Sequence, residues 1–337
     1  MEILWNVVTF ACEVILIVLG LGAILILIAQ LVSRGGPKSE LEIERLDQQY
    51  QRRGLRIKEA VLNEKDLKKI HKRLKKEAKA EDSGSEKPVT YVLDFKGDVK
   101  ASAVDSFREE VSAIVDTVTT KDEIIVRLES PGGMVHSYGL AAAQLLRLKN
   151  TGAKLTICVD KVAASGGYMM ACIGSRIVAS PFAIVGSIGV VAQVPNLHRF
   201  LKKHDVEYHE YTAGEYKRTI SVLGEITQKG EEKFKEQLEE THVLFKNFVS
   251  ENRSALDIAK IATGEHWYGR QALGLGLIDE ISTSDEVLLK AALTHRVLHV
   301  KFNRKAPLSE RMSGVLGRAL HRGLIATTEE LESRRLI

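Results

Sequence analysis

The chain has 337 residues and a mass of 37.3 kDa, with 45% hydrophobic and 27% charged residues, 26 glycines and 6 prolines. That composition excludes a disordered, collagen-like or mucin-like protein, and the length allows one large domain or two ordinary ones. Cys12, Cys158 and Cys172, with no CxxC or Cys/His ligand spacing, exclude a disulfide framework and a structural zinc site. The net charge of +4 is unevenly spread: residues 38–87 carry 15 Lys/Arg against 11 Asp/Glu, 88–296 carry 24 against 27, and 297–337 carry 8 against 4. Two basic segments around a near-neutral middle fit anionic lipid better than nucleic acid, so no nucleic-acid partner is expected.

Residues 14–29 are sixteen in a row without a polar side chain, and continuing to Val32 gives nineteen. At about 1.5 Å per residue this run spans about 28 Å, the thickness of a bilayer's hydrocarbon layer. No Lys or Arg precedes the run, and no small-x-small cleavage site follows it before Arg34. An uncleaved N-terminal transmembrane helix within residues 1–37 is expected, rather than a signal peptide. Arg34, Lys38, Arg45, Arg52 and Arg53 follow the run, and this charge bias places the body on the cytoplasmic side.

Residues 38–87 contain neither Trp nor Phe and read as a charged helical linker. Eight of the fifteen residues 65–79 are basic, with Leu67, Ile70 and Leu74 at helical spacing. The pattern suits a helix lying on anionic lipid or on a neighbouring subunit, and equally a solvated spacer helix. That helix should stop within residues 81–85, and Pro88 opens the body.

From there strand and helix alternate. Residues 89–95, 123–128 and 155–159 are rich in β-branched and aliphatic residues and predict strands. Between them, Val104, Phe107, Val111, Ile114, Val115 and Val118 form a helical stripe, and residues 138–148 form a second helix. Phe234, Leu238, Phe245 and Val249 mark a long amphipathic helix farther on. The alternation predicts βαβ units and a largely parallel sheet in a single α/β domain over residues 88–296. Residues 297–337 form a basic tail, in which Arg311, Arg318 and Arg322 stand among apolar side chains. A membrane-surface helix, a subunit contact and a frayed tail all fit it.

Chemistry is expected at the ends of parallel strands. Three glycine-containing turns fall there: Ser130-Pro131-Gly132-Gly133, Ala163-Ala164-Ser165-Gly166-Gly167-Tyr168, and Gly186-Ser187-Ile188-Gly189, the last between two short apolar strands. Each taken singly also suits a plain turn or tight packing. Small residues let a backbone N–H or a serine hydroxyl meet a ligand unobstructed. A serine nucleophile needs a base, and no histidine lies in a GxSxG or HExxH context. A desolvated lysine is the other option, with Lys161 and Lys217 as candidates.

These three turns, with Ala213-Gly214-Glu215-Tyr216-Lys217 and the glycine-rich residues 269–279, run in the order found in the signal peptide peptidase A/SohB family of membrane-anchored serine–lysine peptidases, which the chain resembles over about residues 88–290. The resemblance implies a ClpP/crotonase-like spiral of ββα units and a bacterial inner-membrane peptidase that needs no cofactor. It implies Ser165 as nucleophile and Lys217 as general base, with Lys161 as reserve. The N–H groups of Gly166 and of Gly132 or Gly133 would form the oxyanion hole, and Ser187 would orient the lysine; residues 269–279 would be structural. The family's long members carry two copies of this domain, whereas this chain has one. A homo-oligomeric ring is therefore expected, in which neighbouring protomers complete each dyad. Its substrates would be apolar peptides or membrane proteins. The resemblance implies an active site outside the inner membrane, opposite to the side that the charge bias favours. A peptidase dependent on a partner ATPase, an acyl-CoA hydratase of the same superfold and a non-catalytic membrane scaffold are the competing readings.

Overall fold

The computed structural model describes residue 20 and residues 40–82 and 87–304; the rest of the expected transmembrane helix and all but the first residues of the basic tail lie outside them. Among the described residues no helix is long and apolar enough to cross a membrane. Residues Leu41–Phe302 form one compact unit.

The chain opens with β1 (Glu40–Arg45), α1 (Leu46–Val61) and α2 (Glu64–Asp82). Next come β2 (Val89–Lys96), α3 (Val104–Val115), β3 (Glu123–Glu129), α4 (Val135–Lys149) and β4 (Lys154–Val159). The expected second helix thus begins at Val135, three residues early. Its N-cap, Met134, makes no side-chain capping bond, so no polar residue marks the start. The central part holds β5 (Val162–Ala164), α5 (Gly166–Ala171), β6 (Arg176–Ala179), β7 (Ile184–Gly186) and α6 (His198–Lys203). No strand follows β7 directly, so the third glycine turn leads into irregular chain. The last part contains α7 (Gln228–Asn252), α8 (Ile258–Ile261), β8 (His266–Tyr268), α9 (Gly269–Gly274), β9 (Glu280–Ile281), α10 (Ser284–Thr294) and β10 (Arg296–Asn303).

Seven strands make the main sheet in the order β1-β10-β2-β3-β4-β6-β9, and the five pairs from β10 to β9 are all parallel. Both faces are covered. Leu93, Ile124, Val126, Leu155 and Ile157 point into the larger core with Phe107, Ile114 and Leu145 of α3 and α4. Their neighbours Val92, Ile125, Cys158 and Val178 face the opposite way, onto Leu46 of α1 and Val287 and Leu288 of α10. A sheet buried on both sides needs unbroken apolar runs, which is why β2, β3 and β4 read so plainly in the sequence.

Residues on either side of 88–296 join this unit. Leu46 packs beside Val297, and the Val297 N–H donates to Asp47 at 3.4 Å. In α2, Leu67, Ile70 and Leu74 are half-buried while Lys65, Lys68, Lys69 and Lys72 are exposed.

A second, smaller sheet carries the site. In it β5 pairs parallel with β7, and β7 pairs antiparallel with β8.

Candidate active site

Ser165 stands between β5 and α5 with φ 52° and ψ −119°, a backbone region that a residue with a side chain rarely adopts. Its N–H donates to the Gly186 carbonyl at 2.8 Å, and its own carbonyl accepts from Met169 N–H at 2.9 Å. Both neighbours are thereby fixed and the half-buried side chain is turned into a cleft of about 820 Å³.

Two other glycine turns meet Ser165 there. Ser130 extends the small sheet: its N–H donates to the Val162 carbonyl at 2.8 Å, and its carbonyl accepts from Ala164 N–H at 3.0 Å. This lays Gly132 against the nucleophile turn, where φ is +89° and an added Cβ would stand 2.7 Å from Ser165 Cβ and 2.9 Å from Gly166 N. Gly133 is pressed on the Val99 carbonyl and could carry no side chain either. Gly132 N–H already donates to Ser130 Oγ at 3.1 Å, whereas among the described residues no acceptor takes the Gly133 N–H. On the third turn, Ser187 has φ 54° and its N–H donates to the Glu265 carbonyl at 2.7 Å.

Ser165, Gly132, Gly133, Gly166 and Ser187 all line the one cleft. Val135, Met169, Val191, Leu244, Phe245 and Phe248 give it apolar walls, suited to apolar side chains.

The two lysines are elsewhere. Lys217 is exposed on a stretch without helix or strand, and it is not among the residues lining the cleft. Beside it, Glu215 pairs with Lys229, and the Lys229 and Lys233 ammonium groups lie 5.8 and 5.5 Å from the Tyr216 ring centre. Lys161 pairs with Glu129 at 3.1 Å in a separate polar cleft that Asp94 and Arg127 also line. Lys161, the reserve base, is not among the residues lining the cleft that holds Ser165.

His242, passed over in the sequence, is the one histidine among the residues lining the cleft. Its Nε2 lies 3.3 Å from the Ile188 carbonyl, and its Nδ1 lies 3.8 Å from Glu239. It shares the inward stripe of α7 with Phe245 and Val249, and that spacing was the available signal. Among the described residues no cysteine competes with Ser165 as a nucleophile. Burial pushes both Cys158 and Cys172 up to about 12, which leaves no reactive thiolate near neutral pH. Among the described residues no three His, Cys, Asp or Glu side chains are grouped to hold a metal ion.

Residues 269–279 are structural here. They form α9 and a return in which Gly276 has φ +75°, and Asp279 accepts from Ile177 N–H at 2.7 Å while pairing with Arg253 at 2.9 Å.

Comparison with known proteins bears on this arrangement. Residues 147–298 match the model of peptidase family S49, and residues 2–145 match that of the peptidase family S49 N-terminal region. A probable protease SohB of Haemophilus influenzae is 49% identical over 326 residues, 92% of each chain. Another probable protease SohB, from Buchnera aphidicola, is 54% identical over 202 residues, 60% of this chain and 66% of that one. A solved membrane-bound stomatin-specific protease has a TM-score of 0.39 and 16% identity, covering 61% of this chain and 84% of its own.

Proposed function

The chain belongs to peptidase family S49, and we propose that it is a membrane-anchored serine endopeptidase acting through Ser165 and Lys217. Ser165 Oγ attacks the carbonyl carbon of the scissile peptide while the neutral Lys217 amine takes the hydroxyl proton. The carbonyl oxygen becomes an oxyanion that accepts from the N–H groups of Gly166 and Gly133. Collapse breaks the C–N bond, the Lys217 ammonium returns the proton to the departing amine, and an acyl ester remains on Ser165. A water that loses its proton to Lys217 then releases the acyl group.

The observation that carries this reading is Ser165 itself: a serine held in a positive-φ turn, half-exposed in an apolar cleft, with two glycine turns packed against it. Gly133 is preferred to Gly132 because the Gly132 N–H is already engaged by Ser130.

Lys217 lies outside its own chain's cleft, so the base reaches Ser165 from a neighbouring copy, with Ser187 accepting from its ammonium. A lysine amine acts as a base only when neutral, which needs removal from water. A second copy packed over residues 190–222 supplies that, and it covers Val191, Phe200 and Tyr211, which are 81%, 60% and 92% exposed. A homo-oligomeric ring of ClpP/crotonase-like domains follows, anchored in the bacterial inner membrane by residues 14–32. The apolar cleft walls suit signal-peptide-like or membrane-derived substrates.

The test is hydrolysis of an unfolded apolar protein by the detergent-purified chain. Ser165→Ala and Lys217→Ala each abolish turnover, Lys161→Ala keeps it, and mixed Ser165→Ala and Lys217→Ala chains regain part of it. Full activity in Ser165→Ala overturns the nucleophile, and absence of rescue in proven mixed assemblies overturns the shared dyad.

A further inference from the structure

Ser130 and Tyr138, with the Asp98 carbonyl, form a relay behind the cleft. Tyr138 Oη lies 2.8 Å from the Asp98 carbonyl and 2.5 Å from Ser130 Oγ, and Ser130 Oγ lies 3.1 Å from Gly132 N. Both side chains are fully buried. The proton positions follow from valence alone. A carbonyl only accepts, so Tyr138 donates to Asp98; the Tyr138 oxygen then accepts from the Ser130 hydroxyl, and the Ser130 oxygen accepts from Gly132 N–H. The relay runs one way and uses each hydroxyl proton once.

The same tyrosine supports the other half of the site. A Cβ at Gly166 would lie 2.4 Å from Tyr138 Cγ, so Gly166 rests on the phenol ring. Gly97 leaves equal room on the far side, where a Cβ would stand 2.3 Å from Tyr138 Oη. The loop is also clamped from outside, since Met134 N–H donates to the Val99 carbonyl at 2.8 Å and Gly97 N–H to the Glu129 carbonyl at 2.9 Å. With Gly132 N–H tied inward, the next peptide, which carries the Gly133 N–H, has a fixed plane.

We infer that Tyr138, acting through Ser130, is a positioning residue for the oxyanion hole: its ring sets Gly166 and its hydroxyl sets the Gly132–Gly133 peptide. This rests on the serine-peptidase reading above. Donors fixed before reaction matter most where charge develops, in the transition state, so their misalignment lowers turnover rather than substrate binding.

The experiment compares the full-length natural chain with Tyr138→Phe, Ser130→Ala, the double variant and Ser165→Ala in detergent. Tyr138→Phe keeps the ring and removes the relay's centre. Its kcat should fall about ten- to a hundredfold, short of deleting a donor outright, with KM within about twofold. A peptide boronate is the second readout, because Ser165 Oγ adds to boron and leaves an oxygen in the oxyanion position. Its affinity should fall in step with kcat/KM, while a non-covalent product peptide binds as before. Ser130→Ala should repeat the effect, and the double variant should be no slower than Ser130→Ala, since both cut one chain of bonds. Tyr138→Phe and Ser130→Ala with kcat within twofold of the natural chain overturn the proposal, and so does an equal loss of boronate and product-peptide binding. If one variant fails to fold, the other decides. Hydrolysis that does not depend on Ser165 in the natural chain overturns the underlying reading instead, and the proposal with it.

Discussion

Glu110 allows a prediction about stability whose size follows from its surroundings. It sits on α3 and is 5% exposed. One carboxyl oxygen accepts from Phe302 N–H at 2.8 Å near the end of β10, and the other has no partner among the described residues. Burial pushes this carboxyl up to about 7, only partly opposed by the Phe302 bond, and the charge of nearby Asp94 adds to the rise. In the unfolded chain it titrates at about 4.5. Between those values the folded state holds a proton that the unfolded state has lost. Stability is therefore greatest below about 4.5, falls as pH rises through about 7 and is level above that. The gap corresponds to about 3 kcal/mol. Glu110→Gln keeps an oxygen for Phe302 N–H and cannot ionise. Chemical denaturation of both proteins at pH 5 and pH 8 should show the natural chain losing about 2.5 kcal/mol more than the variant between the two. Parallel stability profiles would show that Glu110 is ionised in the fold and refute the reasoning.

Two further substitutions test the packing around the site. Gly132→Ala forces a Cβ to 2.7 Å from the Ala164 carbonyl oxygen and from Ser165 Cβ at a positive φ, and should cost about 2–5 kcal/mol and abolish hydrolysis; wild-type turnover in this variant would mean that the two turns are not in contact. Tyr168→Phe removes a buried hydroxyl that donates to the Leu277 carbonyl at 2.9 Å, which should cost about 1–3 kcal/mol in denaturation while turnover per folded molecule is kept. A loss of turnover without a loss of stability would tie Tyr168 to the chemistry instead.

What the sequence disclosed depended on how local each signal was. The strands β2, β3 and β4 announced themselves because a sheet covered on both faces leaves no room for polar alternation. Strand β1 did not, since Glu40, Glu42 and Glu44 alternate along an edge strand whose exposed side carries no apolar requirement. The charge balance that set residues 297–337 apart divides β10 after its first residue, because a charge count over the whole tail cannot detect an eight-residue strand. The three glycine turns were legible as turns, and their convergence followed once βαβ order was granted. The Asp98–Tyr138–Ser130 relay was not legible, because its bonds join residues 40 and 8 positions apart and follow neither helical nor strand spacing. Lys217 was legible only as a candidate base: its motif singles out a lysine, but spacing along the chain does not show that it stands outside the cleft that holds Ser165.

The conformation of Ser165 gives these glycines a shared cause. A non-glycine residue at φ 52°, ψ −119° is strained by about 1–3 kcal/mol and persists only where its surroundings over-determine it. Here the N–H is fixed by Gly186, the carbonyl by Met169, and the preceding residue by Ser130. Gly186 must itself be bare, because a Cβ there would lie 2.8 Å from the Trp267 ring, and Gly167 likewise, because a Cβ would lie 2.5 Å from the Ser130 carbonyl oxygen. The side chains missing from the three turns are therefore what allows three strand ends to close on one serine. Any of these glycines enlarged to alanine should relax Ser165 before it unfolds the domain, since the main sheet takes no part in these contacts.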